Sequence, residues 1–179
     1  MRIDPERKLD FDDVLIRPKR SRLKSRADVD LRRTFRLPHA GGEITGVPII
    51  AANMDTVGTV KMAKALSQHE IFTALHKYVP QKDIKESNLS GDFTFVTFGI
   101  DDIERVDQIM EEMKSNSMNK ICLDVANGYT EAFLDFIKRV RDHHPGKVIM
   151  AGNVATPDMT EALILAGADI VKFGIGPGS

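Results

Sequence analysis

Residues 47–59 read VPIIAANMDTVGT. The first seven, VPIIAAN, form a short apolar run with the character of a strand buried on both faces. The turn that follows bears directly on the fold. An open, doubly wound α/β sheet gathers its glycine-rich turn and its carboxylate around one crevice, and its first turn then reads G-x-G-x-x-G. Here the turn is NMDTVGT, which instead sets an amide, a thioether and a carboxylate (Asn53, Met54, Asp55) at the mouth of the strand.

The same unit recurs along the chain. FTALHKY (72–78), FTFVTFG (93–99), KICLDV (120–125), KVIMAGN (147–153) and DIVKFG (169–174) are further apolar runs, each starting 21–27 residues after the one before. That is the period of a strand plus a crossover helix. Helical stripes lie between the runs: Ile103, Val106, Met110 and Met113 mark one face, and Phe133, Phe136, Ile137 and Val140 another. Thr156 with Pro157 reads as a helix start and Gly167 as a stop. Polar residues gather at the end of every run: Asn53 and Asp55, His76 and Lys77, Gly99, Asp124 and Asn127, Asn153, and the loop Gly174 to Gly178. A site drawn from all strand ends is the mark of a (β/α)8 barrel. The expected fold is therefore α/β, a (β/α)8 TIM barrel with about the first six βα units over 47–179, preceded by a basic arm and barrel-flanking segment over 1–46. Six units leave two edges and part of the interior uncovered, so residues 1–179 alone are expected to be neither independently stable nor active.

The totals fit a soluble globular chain: 179 residues, 42% hydrophobic, 28% charged, net charge -1. Neither nucleic acid nor a membrane is expected as a partner, because there is no excess of positive charge and no apolar stretch of about 20 residues. MRIDPERKLD lacks the apolar core of a signal peptide, which points to the cytoplasm. The basic block RPKRSRLKSR (17–26) has no interleaved aromatics and reads as a solvated arm or a contact for a neighbouring subunit.

Several strand ends carry residues suited to chemistry. Lys77, at a barrel strand end, can serve as a proton donor or polarising cation, or stay solvated. Asp124 can accept ribose hydroxyls, or the DVANGY turn can be a purely structural Asx turn. Asp55 can touch a ligand or cap the helix after it. Cys122, the one cysteine, shares a strand face with Asp124 and reads as a small core residue, not a nucleophile. The closely spaced glycines of GIGPGS can converge carbonyls on a cation or amides on an anion.

Taken in order, LDFDDVLIRPKRS (9–21), GVPIIAANMDTVGT (46–59), CLDVANGY (122–129), AGNVAT (151–156) and GADIVKFGIGPGS (167–179) resemble the IMP dehydrogenase and GMP reductase family of (β/α)8 enzymes over nearly the whole chain. HKY (76–78) is similar to the lysine motif of the reductase branch, where dehydrogenases carry Ile-His-x-Asn. DVANGY replaces the dehydrogenase Asp-Ser-Ser-Gln-Gly, and the span from Tyr78 to Lys120 is too short for inserted CBS modules. Tyr78 departs from the histidine usual in the reductases.

The resemblance implies reductive deamination: GMP and NADPH give IMP, ammonia and NADP⁺. In the family a cysteine attacks purine C2, ammonia leaves, and hydride reaches C2; that cysteine and its threonine partner are expected beyond Ser179. The resemblance gives Lys77 the catalytic lysine's place beside the cofactor, and Asp124, Val125 and Ala126 the nicotinamide-ribose segment. Ser25 and Arg26 match residues that reach the NADPH of a neighbouring subunit, which implies a homotetramer. Ile175 and Gly176 match cofactor-lining residues, carbonyls of Gly176 and Gly178 a potassium site, and Met54 a purine contact. Alternatives are IMP dehydrogenase activity, or a non-catalytic nucleotide-binding partial barrel if the chain ends at Ser179.

Overall fold

The computed structural model describes residues 9, 11–100, 103–114 and 117–174. The chain divides into two compact units, Met1–Asp30 and Leu31–Ser179. In the first, short 3-10 turns span Phe11–Asp13 and Arg26–Asp28. Ser25 caps the second of these: its hydroxyl accepts from Ala27 N at 3.2 Å, and its own amide donates to Asp28 Oδ2 at 3.1 Å. This reciprocal pair is a capping box, which satisfies donors that the turn itself leaves unpaired.

The second unit runs β1 (Arg33–Arg36), β2 (Glu43–Ala51), α1 (Val60–Ser67), β3 (Ile71–Ala74), α2 (Gln81–Glu86), β4 (Thr94–Phe98), α3 (Ile103–Glu112), β5 (Lys120–Asp124), α4 (Glu131–His143), β6 (Val148–Val154), α5 (Pro157–Leu165) and β7 (Ile170–Phe173). Spatial order in the sheet equals chain order, and every pairing from β2 to β7 is parallel. A doubly wound sheet must reverse its strand order at a switch point. None occurs among the described strands, so the six parallel strands form an arc of a (β/α)8 barrel.

β2 serves two partners. Its residues 43–46 pair antiparallel with β1, and those from Val47 on pair with β3. The composition of 33–46 gives no sign of this hairpin, since all four β1 residues are exposed and three of them are polar. The turn depends on Gly41 and Gly42, both at positive φ, with Leu37 N donating to Gly42 O.

Alternation sorts the remaining side chains into two layers. Phe72, Ala74, Phe95, Cys122, Val148 and Met150 form the barrel interior. The opposite faces, including Val96, Phe98, Ile121, Leu123 and Ile149, pack on the buried stripes Ile103, Val106 and Met110 of α3 and Phe133, Phe136, Ile137 and Val140 of α4. Each such large side chain contributes about 1.5–3 kcal/mol on burial. At the two edges apolar groups meet solvent: Ile49 on β2 is 57% exposed, Phe173 on β7 64% and Leu165 on α5 77%. These are positions that a closed barrel covers.

The N-terminal face of the barrel is held by one polar knot. Asp169, just before β7, has a fully buried side chain. Its Oδ1 accepts from the amides of His39 (2.9 Å) and Ala40 (3.0 Å), and its Oδ2 from Ile149 N (3.0 Å) and Arg141 Nη2 (2.7 Å). Arg141 of α4 also donates to the carbonyls of Gly167, Pro145 and Lys147. Hairpin loop, α4, β6 and β7 thereby meet at a single ion pair.

A second polar contact joins α3 and α4. His143 Nδ1 lies 2.8 Å from Asp107 Oδ2, a hydrogen bond; His144 Nε2 lies 2.8 Å from Oδ1 without hydrogen-bond geometry. Burial holds the His144 pKa below the ordinary histidine range, against the opposing pull of Asp107. The fold then binds fewer protons than the unfolded chain, so the stability this residue contributes is present above about pH 6.5 and lost as pH falls below it. Full-length protein should melt at a lower temperature at about pH 5.5 than at about pH 7.5, with a smaller difference in His144→Gln. Equal pH responses of the two proteins would refute this assignment.

Candidate active site

The C-terminal ends of the strands build an open cleft of about 580 Å³ lined by Lys77, Gly99, Ile100, Asp124, Val125, Ala126 and Asn153. Tight backbone contacts join the turn after β2 to the end of β3. His76 N donates to Gly58 O at 2.9 Å, and a Cβ on Gly58 would lie 2.3 Å from the Ala74 carbonyl oxygen, so only glycine lets the two loops meet. That contact fixes where the chain leaves β3 toward Lys77. The Lys77 side chain is exposed, with Nζ 5.1 Å from the centroid of the Tyr78 ring, a cation–π contact.

The β5 and β6 ends are joined by backbone bonds: Val125 N to Gly152 O (2.9 Å), Asn153 N to Val125 O (3.2 Å) and Gly128 N to Asn153 O (3.1 Å). Asn127 Oδ1 accepts from Tyr129 N at 3.0 Å, an Asx turn. The turn is thus closed by Asn127 and leaves the Asp124 carboxylate out of it. Asp124 Oδ1 instead accepts from Lys172 Nζ, which also donates to Asn53 Oδ1 at 2.9 Å. Asp124 Oδ2 and Asn53 Nδ2 make no hydrogen bond among the described residues.

Lys77, Asp124, Val125 and Ala126 are brought together. Met54 is not: it is 61% exposed and absent from the cleft lining, and its carbonyl closes the β2–α1 turn by accepting from Val57 N and Gly58 N. Asp55 does not cap α1; the Thr59 hydroxyl does, accepting from Met62 N at 3.2 Å. Ser25 and Arg26 belong to the first unit, and Ile175, Gly176 and Gly178 lie outside the described residues. Cys122 is fully buried, and burial pushes its thiol up to about 11. It is therefore a protonated core residue at neutral pH and no nucleophile.

Sequence reasoning missed Lys172. The signal was present as a charged residue inside an apolar strand, at the inward parity of Ile170. Among the described residues no helix is long and apolar enough to cross a membrane, and no group of three or more His, Cys, Asp or Glu side chains could hold a metal ion. A carbonyl site of the kind expected for potassium would fall on Gly176 and Gly178, outside that range.

The family model for the IMP dehydrogenase / GMP reductase domain matches residues 8–179. Human GMP reductase 1 is 51% identical over 184 residues, covering 99% of this chain and 53% of its own. GMP reductase of Caenorhabditis elegans is 52% identical over 186 residues, covering 99% and 51%. The crystal structure of inosine 5′-monophosphate dehydrogenase from Legionella pneumophila superposes with a TM-score of 0.73 at 31% identity, covering 94% of this chain and 51% of that one. A parallel barrel arc with a polar mouth defines the class, and the chain belongs to the IMP dehydrogenase / GMP reductase family. It spans about half the length of the curated relatives it matches.

Proposed function

We propose that the protein carrying this chain is a GMP reductase, converting GMP and NADPH to IMP, ammonia and NADP⁺. The observation that carries the reading is the convergence of Lys77, Asp124, Val125 and Ala126 on one cleft at the strand C-termini. These are the positions that the family resemblance gives to the cofactor side of the reaction. The identity of 51–52% to reductases, against 31% to the dehydrogenase structure, supports the reductase branch.

The residues present fit a dinucleotide. The unspent Asp124 Oδ2 can accept a ribose hydroxyl, and the exposed Lys77 ammonium can donate a proton or offset charge on the leaving group. NADPH, when bound, supplies the hydride. By the same resemblance Ile175 and Gly176 would line the cofactor, and Ser25 and Arg26 would reach the cofactor of a neighbouring subunit in a cytoplasmic homotetramer. The resemblance gives a potassium ion to carbonyls of Gly176 and Gly178 and a purine contact to Met54, which stands exposed outside the cofactor cleft.

Full-length protein should oxidise NADPH only when GMP is added and should release ammonia. Oxidation of IMP with NAD⁺, without GMP-dependent NADPH consumption, would replace this reading with the dehydrogenase one. Asp124→Ala should raise the KM for NADPH about tenfold while leaving the KM for GMP nearly unchanged. An unchanged cofactor KM would return Asp124 to a structural role.

A further inference from the structure

Three residues stand in register across the top of the barrel: Asp124 on β5 opposite Gly152 on β6, and Gly152 opposite Lys172 on β7. The middle one has no side chain. A Cβ built on Gly152 would lie 2.6 Å from Lys172 Cβ and 2.5 Å from its carbonyl oxygen, so the glycine is what lets Lys172 lie across β6. The lysine reaches Asp124 two strands away and, on the far side of the mouth, Asn53 just past β2. Side-chain exposures of 19% for Lys172 and 30% for Asp124 leave this contact at the floor of the mouth, partly sheltered from water.

We propose that Lys172 is a positioning residue that sets the Asp124 carboxylate for cofactor binding, with the Asn53 amide oxygen as its second anchor. The donor and acceptor chemistry gives the mechanism. An ammonium only donates, so the oxygen of the Asn53 amide must face it, and the amide nitrogen is thereby turned away as a free donor. The carboxylate is anchored through Oδ1, and Oδ2 keeps its acceptor capacity. One lysine thus presents a defined acceptor and a defined donor on opposite sides of the mouth. It also offsets a carboxylate charge that would repel the phosphates of a dinucleotide. Lys172 acts through the carboxylate, the Asn53 amide oxygen steadying its ammonium, and the inference rests on the reading of Asp124 as a ribose contact.

The test is NADPH binding to full-length protein without GMP, followed by nicotinamide fluorescence, in wild type, Asp124→Ala, Lys172→Met, Lys172→Arg and the Asp124→Ala/Lys172→Met double variant. Lys172→Met should weaken binding about tenfold, and Lys172→Arg, which keeps the charge, should recover most of the loss. The double variant should bind within about twofold of the weaker single variant, because the lysine has no separate effect once the carboxylate is gone. Wild-type binding by Lys172→Met, or losses that simply multiply in the double variant, would overturn the proposal while leaving the Asp124 reading intact. Wild-type binding by Asp124→Ala would overturn the ribose reading, and the proposal with it. Thermal melts run in parallel report folding. Should Lys172→Met not fold, Lys172→Gln, which keeps a donor but no charge, carries the same comparison.

Discussion

Asp169→Ala is expected to destabilise the full-length protein by about 3–5 kcal/mol, the range found when one partner of a buried ion pair is removed. The substitution strips three backbone amides, at His39, Ala40 and Ile149, of their acceptor and leaves the Arg141 guanidinium without its carboxylate. Arg141 keeps its bonds to the carbonyls of Gly167, Pro145 and Lys147, so α4 should stay docked while the hairpin loop comes free. Denaturant unfolding of wild type, Asp169→Ala and Asp169→Asn measures this. Asparagine keeps an acceptor but loses the charge, and should fall between the other two. A loss below about 1 kcal/mol for alanine would show that water replaces the carboxylate and that the knot is not structural.

Lys77→Ala should lower kcat by about 10²- to 10⁴-fold, the usual contribution of a positioned acid or base. Its effect on folding should be small. The side chain is exposed, and the only contact the structure gives its ammonium among the described residues is the Tyr78 ring, worth about 0.5–1 kcal/mol at an exposed site. Far-UV circular dichroism and the melting temperature therefore serve as controls for steady-state kinetics with GMP and NADPH. A raised KM for NADPH at constant kcat would recast Lys77 as a binding group, and near-normal turnover would remove it from the site altogether.

The six parallel strands were legible because strands covered on both faces read as continuous apolar runs, and the α3 and α4 stripes because each helix has one buried side. β1 was not, since Arg33, Thr34, Phe35 and Arg36 are all exposed and carry no alternation. Its pairing comes from the antiparallel reach of β2 and two glycines at positive φ. Thr156 stands at the N-cap position of α5 as its spacing suggests, yet its side chain makes no cap bond; Tyr129 Oη donates to it at 3.2 Å from across the β5–α4 loop. The cleft residues of DVA were legible as a motif, and Lys77 as a strand end. What the sequence could not display is the Lys172 bridge and the Asp169 knot. The bridge joins groups 48 and 119 residues apart and the knot groups 20 to 130 apart, contacts that the strand order of the sheet brings together.

That separation also sets an order of events during synthesis. The amide of Ala40 and the carboxylate that receives it lie 129 residues apart in the chain. At about 5–20 residues per second, the hairpin loop emerges roughly 6–26 seconds before its acceptor exists. Through that interval β2 can pair with β3 and the later strands can pack on α3 and α4, while the amides of His39 and Ala40 have no carboxylate to bind. The hairpin loop is then among the last parts secured, although the strand that follows it is paired early.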